Sequence, residues 1–354
     1  MTVKANRSGR WHAHCVAPAA QFGGRAMPWR GAMAMWAVLA LAGPARAADK
    51  VTYILDWLPS GEETFPWIAQ TEGLFAREGL DVTINVGRGT TDVITRMATG
   101  SAQFGSGGMN GLMTAAAEHG VPVRAVFSVF SKQPDAILTV QGGPITSIKS
   151  LAGHTLGTAT FTSSNTIWPV IARQNGLDPA DVNLLKVDPA TLGPLLATGK
   201  VDALIDWVTS GTEIEEALKA VGKTMHTITW SDSGLTGYGL SLFTTDAMIN
   251  DHPDIVARFV RAYAEAVRRS VASCAEGARA IHKALPEVDA ALAEPQCGTT
   301  IALISNEISQ RDGLGWFDPA LLAETWSWVA RAQNYPPDRI DPQKLVDTRF
   351  VPRM

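Results

Sequence analysis

The chain repeats itself once, and the repeat limits its fold more than any other feature. Residues 65–74 (FPWIAQTEGL) align without a gap on residues 168–177 (WPVIARQNGL), with an aromatic residue, Pro, Ile, Ala, Gly and Leu at identical spacing. In each copy Pro stands early in a helix, where its missing N–H does no harm, and Gly stands where a left-handed turn ends it. A second pair follows: Met97-Ala98-Thr99-Gly100 before residues 102–105, and Leu196-Ala197-Thr198-Gly199 before residues 201–205. Each reads as a helix, a Gly stop and a short strand. Strands are expected upstream of each copy, over 51–55 and 155–158. Two more are expected between the paired helices, over 81–86 and 182–187, where alternation and β-branching favour extended chain. Each half therefore reads strand–helix–strand–helix–strand. That alternation implies an α/β fold of two lobes, each an open, mostly parallel sheet flanked by helices.

Beyond the second copy the pattern changes. Residues 238–243 read as a returning strand. A long helical stretch is expected from Pro253 to about Ala284, with Ile255, Val256, Phe259, Val260, Tyr263 and Val267 as its apolar stripe. A further helix starts at Asp318-Pro319 and carries Leu322, Trp326 and Val329. These segments have no sheet of their own and are expected to pack back on the first lobe. The division that follows is 48–140 plus 239–354 for lobe 1 and 141–238 for lobe 2.

The first 47 residues read differently. They hold six basic residues and no Asp or Glu; Arg25 and Arg30 precede an apolar run over 32–42, and Ala45-Arg46-Ala47 follows. This is the order of a secretory signal peptide, with cleavage expected after Ala47, export to the periplasm, and Met27 as a candidate true start. The apolar run is shorter than the roughly 20 residues a spanning helix needs; a retained anchor is the alternative. Residues 48–354 carry 24 basic against 34 acidic residues, net −10. That disfavours nucleic acid, whose binders present a basic face. Cys15 falls in the leader, and Cys274 and Cys297 remain. An even pair in an oxidising compartment suggests a disulfide closing a short loop, the alternative being two separate buried thiols. No Cys stands at the cleavage site, so no lipid anchor is expected.

In open α/β sheets, ligands bind beyond the carboxyl ends of the strands, often at helix N-termini. Four loops satisfy that rule: residues 56–64, 106–111, 160–166 and 206–210. Thr162, Ser163, Ser164 and Asn165 offer hydroxyls and backbone N–H groups to a polar edge, or simply cap a helix. Ser106, Gly107 and Asn110 lie where backbone can approach a ligand closely or make a tight turn. Trp57 and Trp207 each end a strand and each follow an Asp. An indole beside a cleft offers a stacking face and one donor; otherwise it packs the sheet end. Asp56, Glu62, Glu63 and Asp206 can accept hydrogen bonds from amino groups, or are solvated charges that complement helix N-termini. Tyr238, at the head of the returning strand, completes the candidate set. His119, His154, His226, His252 and His282 show neither an i, i+4 pair nor zinc spacing with Cys. No nucleophile elbow or P-loop occurs. No catalytic residue, metal or cofactor is expected.

Several segments together carry a family resemblance. Leu55-Asp56-Trp57-x-Pro59, then Gly73-Leu74-Phe75-x-x-Glu78-Gly79-Leu80-Asp81-Val82, resembles the opening of periplasmic receptors for thiamine pyrimidine precursors and for sulfonates, nitrate and taurine. Gly120-Val121-Pro122-Val123, residues 150–157, Gly199-Lys200-Val201-Asp202-Ala203 and Leu345-Val346-Asp347 fit the same group. The resemblance implies a type 2 periplasmic binding fold, with two lobes that close by a hinge on a small molecule. It further implies a monomer whose closed form docks on an ABC permease in the inner membrane. It places the ligand against Asp56-Trp57 and Ser106-Gly107 in one lobe and residues 162–165 in the other.

The Asp-Trp opening is most similar to the pyrimidine-precursor branch. That branch has Asn and His after Trp-x-Pro, where this chain has Gly61, Glu62 and Glu63. The related eukaryotic pyrimidine synthase uses a His and a Cys-rich iron motif; neither is present, so synthase chemistry is not expected. The leading expectation is a receptor for a small, amine-bearing heteroaromatic molecule such as a thiamine-related pyrimidine. The alternative ligand is an alkylsulfonate or similar anion. Against it stand the scarcity of Arg near the loops, where only Arg88 occurs, and a net charge that gives an anion no steering. A sensor input domain, a third reading, is expected to carry a fused membrane helix and kinase.

Overall fold

Ten strands in two sheets organise residues 47–352, which the computed structural model describes. The expected leader lies, apart from Ala47, outside the described residues. In chain order the strands are β1 (Asp49–Ile54), β2 (Leu80–Asn85), β3 (Phe104–Gly108), β4 (Val123–Ser128), β5 (Asp135–Val140), β6 (Thr155–Ala159), β7 (Asn183–Val187), β8 (Ala203–Trp207), β9 (Met225–Thr229) and β10 (Leu240–Thr245). The sheets run β2-β1-β3-β10-β4 and β7-β6-β8-β5-β9. In the first, β1 pairs parallel with β2 and β3; in the second, β6 pairs parallel with β7 and β8. One strand in each runs against its neighbours: β10 between β3 and β4, and β5 between β8 and β9.

The repeat explains this order. β1 to β4 match β6 to β9 position for position, and the fifth strand of each half, β5 or β10, crosses into the other sheet. The fold is the expected two-lobed α/β type with mixed sheets. The expected boundary at residue 140 is corrected, however. Residues 135–139 pair with β8, and residues 136–140 with β9, so β5 belongs to the second sheet. Its Ala136, Ile137 and Leu138 are fully buried there.

The two repeated helices differ at their starts. Phe65–Thr71 has Pro66 in its first turn, as expected. Ser164–Gln174 begins earlier than the repeat suggests, which leaves Pro169 inside the helix. There Pro169 removes the intrahelical donor to Asn165 O, and its ring crowds that carbonyl. Both stops hold: Gly73 and Gly176 have φ of 69° and 72°, the left-handed turn that favours glycine.

The trailing segments depart further from expectation. The long helix breaks at Ser273, which caps a second helix by accepting the Glu276 N–H, giving Pro253–Ala272 and Cys274–Ala284. Pro253–Ala272 packs on the first lobe, where Phe259 stacks on Phe104 with ring centroids 3.9 Å apart. Pro319–Gln333 does not confine itself to that lobe. It packs against Met109–His119 of the first and Ser164–Gln174 of the second, and Gln333 Nε2 donates to Thr166 O at 2.7 Å. Ala290–Ile304 likewise reaches Gly211–Lys219 of the second lobe. One apolar cluster therefore runs from Ile54 and Met109 through Trp326 and Val329 to Ile167 and Trp168.

Candidate functional site

The carboxyl ends of β1 and β8 meet between the sheets. Asp56 and Trp57 follow β1, Asp206 and Trp207 close β8, and with Glu62, Thr162 and Ser210 they line one cavity. Six of the residues singled out in sequence thus come together from three of the four loops. The cavity measures about 10 Å³, room for one water-sized group, because the lobes touch around it. Thr91 N donates to Phe161 O at 3.1 Å. A Cβ on Gly108 would stand 2.4 Å from Ser163 Oγ. At the rim, exposed Arg88 and Asp188 approach to 3.9 Å. The two indoles reach across reciprocally. Trp57 packs against the second-lobe cluster that includes Ala136 and Ile214, and Trp207 joins the first-lobe cluster, its ring 6.1 Å from Phe130.

Local geometry turns the acids inward. Ser60 Oγ accepts the Glu62 N–H at 3.3 Å and opens a short 3-10 turn, Gly61–Glu63. Gly61 lies so near the Ala290–Ile304 helix that a Cβ would stand 2.1 Å from Ala293 O, and its N–H donates to Gln296 Oε1 at 2.9 Å. A disulfide joins Cys297, the next residue on that helix, to Cys274, with Cα atoms 5.5 Å apart. The turn has no room to swing outward, and Glu62 and Glu63 are each only 4% exposed.

The hydrogen bonds divide the acids between lobes. Glu63 faces the first lobe: Oε2 accepts the Asp56 N–H at 3.1 Å and Oε1 the Tyr53 hydroxyl at 3.4 Å, with the Tyr263 hydroxyl 3.4 Å beyond. Asp56 Oδ1 accepts from the Thr90 hydroxyl at 2.9 Å, and Thr90 Oγ1 accepts the Gly108 N–H at 2.9 Å. In the second lobe, Asp206 Oδ1 accepts the Trp207 N–H at 2.7 Å and the Ser210 hydroxyl at 3.0 Å.

Among the described residues no cation acts on these groups, and burial without a counter-charge favours the neutral acid. Burial pushes Asp56 and Glu62 well above the usual carboxylate range, and neighbouring carboxylates push them further: Glu63 on Asp56, and Glu63, Asp206 and Asp56 on Glu62. Burial likewise raises Glu63 to about 7 against its hydrogen bonds from Ser106, Asp56 N and Tyr53. Asp206 rises to about 7 against the Trp207 N–H and Ser210. A fifth acid, Asp135, heads β5 opposite Trp207 and is raised to about 6 by burial. Ser164 and Trp207 draw it back, yet Asp135 Oδ1 and Trp207 Nε1 complete no hydrogen bond.

The remaining candidates have structural work. β3 and β8 run on through residues expected to form loops, so Ser106 and Gly107 lie within β3. Ser106 Oγ accepts the Asp56 N–H at 2.9 Å. A Cβ on Gly107 would stand 2.5 Å from the Phe243 ring, so packing rather than a turn or ligand approach calls for glycine. The Asn110 amide exchanges hydrogen bonds with that of Gln133. Ser163 meets Gly108 across the lobes, and Ser164 is buried beside Asp135. Asn165 bonds Thr158 and Ala159 O, which ties its helix to β6. Tyr238 is corrected as a wall residue: its ring packs on Phe317 and its hydroxyl accepts the Asp318 N–H at 2.6 Å. Sequence reading missed Thr90 and Asp135. Thr90 lies outside the four loops singled out there, and Asp135 becomes a site neighbour only once β5 crosses sheets.

Comparison with known proteins agrees with this architecture. The chain is 24% identical over 313 residues to the riboflavin-binding protein RibY of Chloroflexus aurantiacus, covering 86% of each chain. It is 27% identical over 220 residues to the formylaminopyrimidine-binding protein of Halalkalibacterium halodurans, covering 61% of this chain and 64% of that one. Among solved structures, the periplasmic aliphatic sulphonate binding protein SsuA of Escherichia coli superposes with a TM-score of 0.65 at 13% identity, over 84% of this chain and 97% of that one; this likeness shows the shared fold. Residues 62–276, more than half of the chain, match the family described as NMT1/THI5 like, and the protein belongs to that family.

Proposed function

We propose that the protein is an exported, periplasmic solute-binding receptor of an ABC-type importer, and that its cleft takes a flat, amine-bearing heteroaromatic molecule, a thiamine-related pyrimidine foremost. The observation that carries this reading is the cavity wall: two indoles and three carboxylates, drawn from both lobes, with no Lys or Arg among them. A ring slides between the indole faces, and its amino groups donate to Asp56, Glu62 and Asp206. Thr162 and Ser210 meet its polar edge. Buried carboxylates are costly until they meet donors, so a donor-rich ligand gains what an anion loses. The ring enters with the lobes apart. Closure through the two crossovers, residues 129–134 and 230–239, brings the walls onto it. The names of two relatives, one for riboflavin and one for formylaminopyrimidine, support a nitrogen heterocycle. None of the five histidines among the described residues lines the cavity.

In this reading the receptor acts as a monomer and offers its closed form to a membrane permease. The alkylsulfonate reading draws on the shared fold of SsuA, but closing over an anion beside these acids is unfavourable. Calorimetric titration with a thiamine-type aminopyrimidine and with taurine decides between them. We expect aminopyrimidine binding that weakens roughly tenfold or more on Trp57→Ala, since aromatic anchors dominate small interfaces. Tight taurine binding without aminopyrimidine binding would overturn the reading.

A further inference from the structure

The cleft has an electrostatic feature that ligand stacking does not use. Glu62 comes from the first lobe and Asp206 from the second, and both line the same cavity of about 10 Å³. Behind Glu62 stand Asp56 and Glu63, with Asp92 beyond; behind Asp206 stand Asp135 and Glu213. The other titratable neighbours, Tyr53 and Tyr263, supply hydroxyls and no positive charge. Arg88 pairs with Asp188 at the exposed rim and plays no part in the cavity wall. A second feature bears on the same wall: Trp207 Nε1, on a cavity-lining residue only 6% exposed, is buried without completing a hydrogen bond, its neighbour Asp135 lying behind the wall.

We propose that Glu62 and Asp206 form a like-charge gate between the lobes, which lets the cleft close on a cationic ligand or on protons and holds it ajar around an uncharged ring. When both are ionised, bringing them together in a space that excludes water sets two negative charges against each other with only neutral donors, and no cation among the described residues, to offset them. A ligand cation between them reverses the sign of both interactions. Protons do so too, each binding one carboxylate oxygen and returning to solvent when the lobes part. The gate follows from residue placement alone; its ligand half, that a heteroaromatic cation is the natural key, rests on the receptor reading above.

Small-angle scattering of the unliganded protein tests the gate without any ligand. At about pH 5.5 we expect a smaller radius of gyration than at about pH 8.5, since Asp206, raised by burial to about 7, ionises between those values, and burial shifts Glu62 in the same direction. The Glu62→Gln, Asp206→Asn double variant, checked for folding by near-ultraviolet dichroism, should be compact at both. A wild-type radius that does not change, or a double variant that still expands, overturns the proposal. Thiamine, a permanent cation, and uncharged riboflavin supply the ligand arm at the higher pH. Thiamine should compact the protein and bind at least about tenfold more tightly to the wild type than to the double variant, the effect of roughly one pK unit of interaction. If riboflavin closes the lobes as fully as thiamine, charge selection is wrong. If protons compact the protein and neither heterocycle does, the gate stands and the heteroaromatic reading falls.

Discussion

Thr90 connects three parts of the first lobe, and its replacement by Val separates that role from simple packing. The side chain is fully buried. Its hydroxyl donates to Asp56 Oδ1 and accepts from Gly108 N, each at 2.9 Å. Valine keeps the shape and removes both bonds, leaving a buried acceptor and a buried backbone donor unmatched. Each such loss costs about 1–3 kcal/mol, so Thr90→Val should destabilise by about 3 kcal/mol. Thr90→Ser keeps the hydroxyl and loses a methyl packed beside Gly107 and Gly111, for about 1 kcal/mol. At roughly 2 °C per kcal/mol for a chain of this size, the melting temperature should fall by about 6 °C for Val and about 2 °C for Ser. Thermal unfolding followed by circular dichroism reads both, and urea titration should move the midpoint without changing the slope. If Ser is as damaging as Val, the methyl rather than the hydroxyl is the operative group and the polar linkage is refuted.

Three further outcomes follow from the same geometry. Glu63 is held protonated in the folded chain up to about pH 7 against an ordinary value of 4.5. The folded state therefore binds the extra proton in that window, so stability is greatest below about pH 4.5 and falls by about 3 kcal/mol as pH rises to about 7. Denaturant midpoints across pH should show the fall, and Glu63→Gln should remove Glu63's share of it, leaving the part due to the other buried acids. Replacing both Cys274 and Cys297 by Ala opens a loop with a sequence separation of 23. Stability should drop by about 3 kcal/mol, with weaker ligand binding as Gln296 loosens from Gly61; calorimetry that finds both unchanged refutes the linkage. Gly108 has φ −73° and ψ 133°, which alanine accepts, yet a Cβ there would meet Ser163 Oγ at 2.4 Å. Gly108→Ala should leave the melting temperature nearly unchanged while weakening ligand affinity, and adding Ser163→Ala should recover part of the loss.

The sheet cores were legible because they obey local rules. Gly73 and Gly176 announce helix stops through backbone chemistry alone, and Pro66 announces a helix start. Asp56, Trp57, Asp206 and Trp207 were legible for a related reason: strand ends in such sheets face a cleft, whatever the sequence around them. Non-local facts were not legible. Nothing in residues 132–140 says that this strand leaves the first sheet, so the lobe boundary and Asp135 were both misplaced. Gly107 shows the same limit at smaller scale. Its need for a missing side chain comes from Phe243, far along the chain. The helix Pro319–Gln333 has an ordinary apolar stripe, and only the assembled molecule shows that its two faces serve different lobes.

The exchange of β5 and β10 bears on how the molecule comes into being. As the chain emerges during synthesis, β3 and β4 are complete long before the strand that lies between them. The first lobe therefore waits with two strand edges open until residues 240–245 arrive, after the whole second lobe. Open edges are where chains pair wrongly with one another, and contacts between distant segments form slowly. The second lobe has no such wait, because β5 precedes the four strands it joins. The lobe that begins the chain is thus the last to be finished, and a chain cut anywhere before β10 leaves it without the strand that joins β4 to β3.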